Sequence, residues 1–63
     1  MNFYQAYKDQ GSASASLGPL RGTAEEALED LRDNGYFTDK LTPDKYGCYY
    51  SPAQQIGISV TRV

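Results

Sequence analysis

The segment from Thr23 to Tyr36 leaves this chain little choice of local structure. Thr23-Ala24-Glu25-Glu26 is a capping box, with a hydroxyl at the N-cap and a carboxylate three residues on. Ala24, Ala27, Leu28 and Leu31 then fall at i, i+3, i+4 and i+7, which is one apolar stripe. Asn34-Gly35 stops the run. Gly35 suits the left-handed C′ position, and Tyr36 is placed to touch Leu31 across the helix end. The spacing predicts a helix over residues 24–34. A helix with a single apolar stripe must cover something, so the remaining residues have to supply an apolar surface.

They do so as strands. Residues 2–8, NFYQAYK, are rich in aromatics, and Asp9-Gln10-Gly11 reads as a tight turn with Gly11 at a positive φ. Residues 12–17, SASASL, alternate strictly. Ala13, Ala15 and Leu17 point one way and the serines the other. Ser and Ala are poor strand formers, and a flexible loop is the competing reading of the same letters. Residues 38–45 carry Pro43 and form a loop. Residues 46–50, YGCYY, read as a strand with Tyr46, Cys48 and Tyr50 on one face and Tyr49 on the other. Ser51-Pro52-Ala53-Gln54 is a turn with Pro52 at its second position. Residues 56–62 alternate, with Ile56, Ile58 and Val60 toward the core and Gly57, Ser59 and Thr61 away from it. The expected fold is α+β in ββαββ order, a small antiparallel sheet of four strands with one helix packed across it.

Residues 1–63 make one domain with a thin core, because a chain this short buries only about 60% of its unfolded surface. Cys48 is the lone cysteine and there is no histidine, so neither an internal disulfide nor a Cys/His zinc site can staple the fold. Local consistency or a second copy of the chain, as a homodimer, must make up the difference. No apolar run approaches the ~20 residues of a membrane span. MNFYQAYKDQ has no basic start followed by an apolar stretch, and with one free cysteine the expected setting is cytoplasmic.

Missing residue types exclude most chemistry. Without histidine there is no usual general base and no partner to activate the Cys48 thiol, which reads as structural. Gly18-Pro19-Leu20-Arg21-Gly22 matches neither the phosphate loop nor the dinucleotide fingerprint. The acidic segment lacks the spacing and turn glycine of a calcium loop. No catalytic residue, metal ligand or cofactor is expected, and the chain does not read as an enzyme. The six basic residues are scattered, so direct binding to nucleic acid is not expected either.

The charge distribution is more informative than the net charge of −2. Glu25, Glu26, Glu29, Asp30 and Asp33 stand against Arg32 alone, a net −4 within nine residues. Elsewhere five basic residues outweigh three acidic ones, leaving +2. On a helical wheel the five acids lie opposite the apolar stripe. Glu25 with Glu29, Glu26 with Asp30 and Glu29 with Asp33 are like-charge i, i+4 pairs, each costing about 0.2–0.5 kcal/mol. Asp30 and Asp33 also sit toward the negative end of the helix dipole. A helix selected for stability alone would intersperse lysines. Five acids over eight steps of ~1.5 Å give about one charge per 2.4 Å, between the roughly 3.4 Å of one DNA strand and the 1.7 Å of the duplex. Such a face can compete for a basic groove built to hold nucleic acid. The competing reading is a plain solvated helix face, with the partner met by exposed tyrosines, Tyr49 foremost.

In size, in strand–helix–strand order and in the acidic helix TAEEALEDLRDNGYF, the chain resembles the small anti-CRISPR proteins of phages and mobile elements. That group shares no signature motif, so the resemblance transfers no residue role. It implies a non-catalytic inhibitor that occupies the DNA-binding or nuclease-recruiting surface of a CRISPR effector in the host cytoplasm. The expected partner surface is therefore a basic protein surface, met by Glu25, Glu26, Glu29, Asp30, Asp33 and Tyr49. The alternative is a small homo-oligomeric structural or regulatory protein with a tyrosine-rich interface.

Overall fold

The computed structural model describes residues 1–63 and has the expected element order: β1 (Asn2–Asp9), β2 (Ser14–Ser16), α1 (Ala24–Asp33), β3 (Tyr49–Ser51) and β4 (Ile56–Arg62). The spatial order β2-β1-β4-β3 places the two longest strands in the centre. All pairings are antiparallel, and β1 meets β4 along its length, from Asn2 opposite Arg62 to Lys8 opposite Ile56. The terminal residues continue this ladder, with the Val63 amide donating to the Met1 carbonyl at 3.0 Å.

Side chains alternate across a sheet, so this register sorts them into two sets. Tyr4, Ala6, Lys8, Ala15, Tyr49, Ile56, Ile58 and Val60 share the side that α1 covers. Phe3, Gln5, Tyr7, Asp9, Ser14, Ser16, Tyr50, Gly57, Ser59 and Thr61 share the other side, which no element covers. The core lies between sheet and helix: Ala6, Ile56 and Ile58 from the strands against Ala27 and Leu31 from α1. Tyr4, Leu17, Leu28, Tyr36, Leu41 and Tyr49 close its rim.

The helix ends form much as the sequence dictates. Thr23 Oγ1 accepts from the Glu26 amide at 3.3 Å. The Glu26 carboxylate does not return to the Thr23 amide; it accepts from the Thr23 hydroxyl at 3.0 Å. At the far end the Tyr36 amide donates to the Leu31 carbonyl at 3.1 Å and the Gly35 amide to Arg32 at 2.9 Å, a Schellman closure with Gly35 at φ 89°. Asn34 is the C-cap, so the helix ends at Asp33, one residue before the expected end. Tyr36 folds back on the core, whereas Phe37 stands in water, 77% exposed. The Gln54 amide holds the Phe37 backbone there, accepting from its N–H and donating to its carbonyl, both at 2.9 Å.

The first strand runs one residue past its expected end and takes in Asp9, which was expected in the turn, and two others differ more from their expected extents. The second is shorter than residues 12–17 because Gly11, at φ 87°, and Ser12 make the two-residue turn itself, and Gly18-Pro19 ends the pairing after Leu17 donates to the Ala6 carbonyl. The third begins at Tyr49, not at residue 46. Asp44 Oδ1 accepts from the amides of Tyr46 and Cys48, at 2.8 and 3.0 Å, and draws that stretch into a turn with Gly47 at φ 84°. The β3–β4 connection is also wider than a simple four-residue turn. Gln55 donates to the Ser51 carbonyl at 2.7 Å and carries a φ of 55°.

Candidate functional site

The capped N-terminus and the packing of Ala27 and Leu31 fix the rotation of α1 about its axis, and with it the direction of every acidic side chain. Glu25, Glu26, Glu29 and Asp33 are exposed. None of them takes part in an ion pair, since the single salt bridge of the molecule is Arg21 with Asp30. Arg32, the one cation on the helix, donates to Thr38 Oγ1 at 2.8 Å. Four carboxylates thus face water side by side.

Asp30 does not belong to that face, contrary to its expected place opposite the apolar stripe. It is only 7% exposed. Its wheel position lies on the flank of the stripe, beside Ala27, and that flank leans toward the chain leaving β2. There Arg21 grips it with two parallel bonds, Nε to Oδ2 and Nη2 to Oδ1, both 2.9 Å. Arg21 is itself anchored by backbone bonds in both directions with Tyr4. Hydrogen bonding from Arg21 outweighs desolvation and holds the Asp30 carboxyl below the usual carboxylate range. Gly18 makes room for the pair, since a Cβ there would come within 2.7 Å of the Asp30 Cγ. The pairing removes one charge from the acidic face and relieves the like-charge contact expected between Glu26 and Asp30. The remaining four acids over eight helical steps give about one charge per 3 Å, nearer to the ~3.4 Å of a single nucleic-acid strand.

Tyr49 is also placed differently from expectation. It lies opposite Ile58 on the helix side and packs against the core, so little of it is offered to a partner. Its neighbour Tyr50 points to the uncovered side and is 46% exposed. On that side Tyr7, Gln5, Ser14, Ser16, Ser59 and Cys48 help to line a shallow depression of about 230 Å³. None of these residues carries a charge at neutral pH. Tyr7 leans over Gly57, directly opposite it in the ladder. Tyr50 donates to Asp9 Oδ2 at 2.8 Å, while Asp9 Oδ1 accepts from the Gly11 amide at 2.9 Å. These two bonds hold the Asp9 carboxyl below its ordinary value, and the same Tyr50–Asp9 bond raises the Tyr50 phenol. Burial, then the charge of Asp9, raises Tyr7.

A tyrosine whose folded pKa lies above its unfolded value contributes stability that is fully present below pH ~10 and is lost as pH rises through the folded pKa. Titration of tyrosinate absorbance should therefore show Tyr50 ionising at higher pH in the unsubstituted protein than in Asp9→Asn, which removes the charge that raises it; identical titration of the two proteins would contradict the Tyr50–Asp9 bond.

Nothing in the pattern of residues 12–22 marked Arg21 as a partner for the helix. The available signal was the wheel angle of Asp30, about 110° from the centre of the stripe at ~100° per residue. Tyr7, Gln5, Ser14 and Ser16 meet only through strand register, which alternation alone does not supply. No three side chains of the Cys, Asp or Glu type converge to hold a metal ion. No helix is long and apolar enough to cross a membrane.

The fold and its surfaces define a one-helix, four-strand α+β protein with an unpaired acidic helix face on one side and, on the other, an uncovered sheet face that carries Asp9 beside an uncharged depression. No family model, curated protein or solved structure matches the chain.

Proposed function

We propose that this protein is a non-catalytic inhibitor that occupies a basic, nucleic-acid-binding surface on another protein, using the exposed face of α1. The observation that carries the reading is the set of four exposed carboxylates, Glu25, Glu26, Glu29 and Asp33, left without a salt bridge on a helix whose fifth acid is neutralised by Arg21. A lone cation near them, Arg32, is engaged by Thr38. The spacing of about 3 Å per charge matches what a groove built for a nucleic-acid strand accepts. The DNA channel of a CRISPR effector is a partner surface of this kind, in keeping with the type of protein the chain resembles.

The test is competition. A purified type I CRISPR effector is loaded with labelled target DNA and challenged with the protein. Displacement of DNA, weakening steeply as salt rises, is the expected result. Replacing Glu26, Glu29 and Asp33 together by Lys should weaken displacement by about tenfold or more, because like charges then face each other across the interface. Equal displacement by the triple variant would overturn the assignment to α1. Asp30 is left out of that set, since reversing it would break the Arg21 pair and confound binding with stability.

The second reading places the contact on the uncovered sheet side. The observation favouring it is that Tyr50 and Tyr7 flank an uncharged depression there. Binding through that side would be insensitive to salt and to the helix charges, and would be lost on Tyr50→Ala.

A further inference from the structure

The two edges of the sheet are finished differently. At the β3 edge, Cys48 commits both of its backbone groups to Asp44: its amide donates to the Asp44 carboxylate at 3.0 Å and its carbonyl accepts from the Asp44 amide at 2.8 Å. Pro52 follows directly after that strand. The β2 edge has no such cover. From Gln10 to Leu20 the chain carries no charge, and its one proline, Pro19, lies beyond the strand. Sheet proteins commonly guard an edge with a lysine, a proline, a bulge or an overlying loop, because an open edge pairs with other strands.

The hydrogen-bond parity of β2 shows which groups are free. The Leu17 amide donates to Ala6 and Ala13 accepts from Gln10, both at 2.9 Å, so in the alternation of the ladder positions 13, 15 and 17 are those whose bonds run toward β1. The amides and carbonyls of Ser14 and Ser16 therefore point off the sheet. The strand itself, Ser14-Ala15-Ser16, reads the same in both directions about Ala15. An antiparallel copy centred there sets Ser14 opposite Ser16 of the second copy and Ala15 opposite Ala15, with Ala13 against Leu17 beyond them.

We infer that β2 is a self-pairing edge, at which a second copy of this chain adds in antiparallel register about a two-fold axis through Ala15. The axis stands perpendicular to the sheet, as closed two-fold symmetry requires. The result is one continuous eight-stranded sheet, with both helices on one side and both uncovered faces on the other. Ser14 and Ser16 of the two copies then face each other across the seam, within reach of hydroxyl–hydroxyl bonds. The acidic faces of both α1 helices are left free, so this pairing is independent of the proposed inhibitory contact. The seam is short and buries far less than the roughly 1,000 Å² of a stable interface, which makes the dimer weak and concentration-dependent.

Disulfide trapping tests the register directly. Ala15 lies on the axis in a non-hydrogen-bonded pair, where Cα atoms are about 4.5 Å apart, inside the span a disulfide bridges. Ala13 meets Leu17 of the other copy, so the two Ala13 positions are offset by roughly 13 Å along the strands, beyond any disulfide. In a Cys48→Ser background, mild oxidation of Ala15→Cys should yield about tenfold more covalent dimer than Ala13→Cys at the same concentration. In the unsubstituted protein, the Ser14 and Ser16 amides should gain protection from hydrogen exchange as concentration rises. Equal cross-linking at both positions, or no dimer at Ala15→Cys together with unprotected Ser14 and Ser16 amides, overturns the inference. Because neither measurement involves α1, failure here leaves the inhibitory reading standing, and the reverse also holds.

Discussion

Leu31→Ala should remove most of the stability of this protein. Leu31 is the largest side chain that α1 inserts fully into the core, and it is completely buried with Ala6, Ala27, Ile56 and Ile58. Truncating a buried leucine costs about 2–5 kcal/mol, the higher figure applying where the surroundings cannot collapse into the space. Collapse is limited here, because two of the four other core residues are alanines with nothing to extend. At about 0.05–0.15 kcal/mol per residue, a chain of this length has only roughly 3–9 kcal/mol in total. Urea denaturation of the variant should show a midpoint near zero or a protein already largely unfolded. A loss below about 1 kcal/mol would mean that the helix is held mainly by other contacts. The comparison with Leu28→Ala is informative, since Leu28 sits only at the rim of the same cluster and should cost less.

Gly57→Ala should be nearly as damaging, for the opposite reason. Gly57 lies within β4 and faces the uncovered side, where a side chain would ordinarily be harmless. A Cβ at that position would instead run into the Tyr49 carbonyl oxygen and stand 2.7 Å from the Tyr7 hydroxyl. The tyrosine can swing away; the backbone of β3 cannot move without breaking its pairing to β4. Overpacking of this kind costs about 1–3 kcal/mol, and contact with main chain puts it toward the upper end. The expected signature is a lowered denaturation midpoint with early exchange of the β3 amides. If Gly57→Ala in a Tyr7→Ser background regained full stability, the ring alone would be responsible and the strand would not be under pressure.

These two residues also show what could be read from the letters alone. Leu31 was legible because a helix announces itself locally: cap, stripe and stop all lie within fourteen residues, and the helix formed within one residue of its expected end. Gly57 was legible only as an outward position. Its burial depends on Tyr7, fifty residues away and opposite it in the ladder, and no local pattern carries that register. Asp30 and Tyr49 fail for the same reason. Each was placed by counting along one element, while its surroundings come from another: Arg21 for Asp30, and Ile58 with the helix for Tyr49. The third strand slipped because a side chain outbid propensity, with Asp44 capturing two amides that YGCYY would otherwise offer to a ladder. Glu25, Glu26, Glu29 and Asp33 remained where the wheel put them, since solvent makes no competing demand.

The pairing of β1 with β4 in the middle of the sheet has a consequence for how the molecule comes apart. Each hairpin, β1–β2 and β3–β4, contributes one edge and one half of the central seam, and the residues joined across that seam are up to 60 positions apart in the chain. Closing so long a loop is entropically expensive and is repaid only when the seam and the helix contacts form together. Neither half therefore has a reason to hold its shape without the other. Loss of order should spread through the whole molecule at once, and fragments separated within the loop between α1 and β3 would find structure only by finding each other.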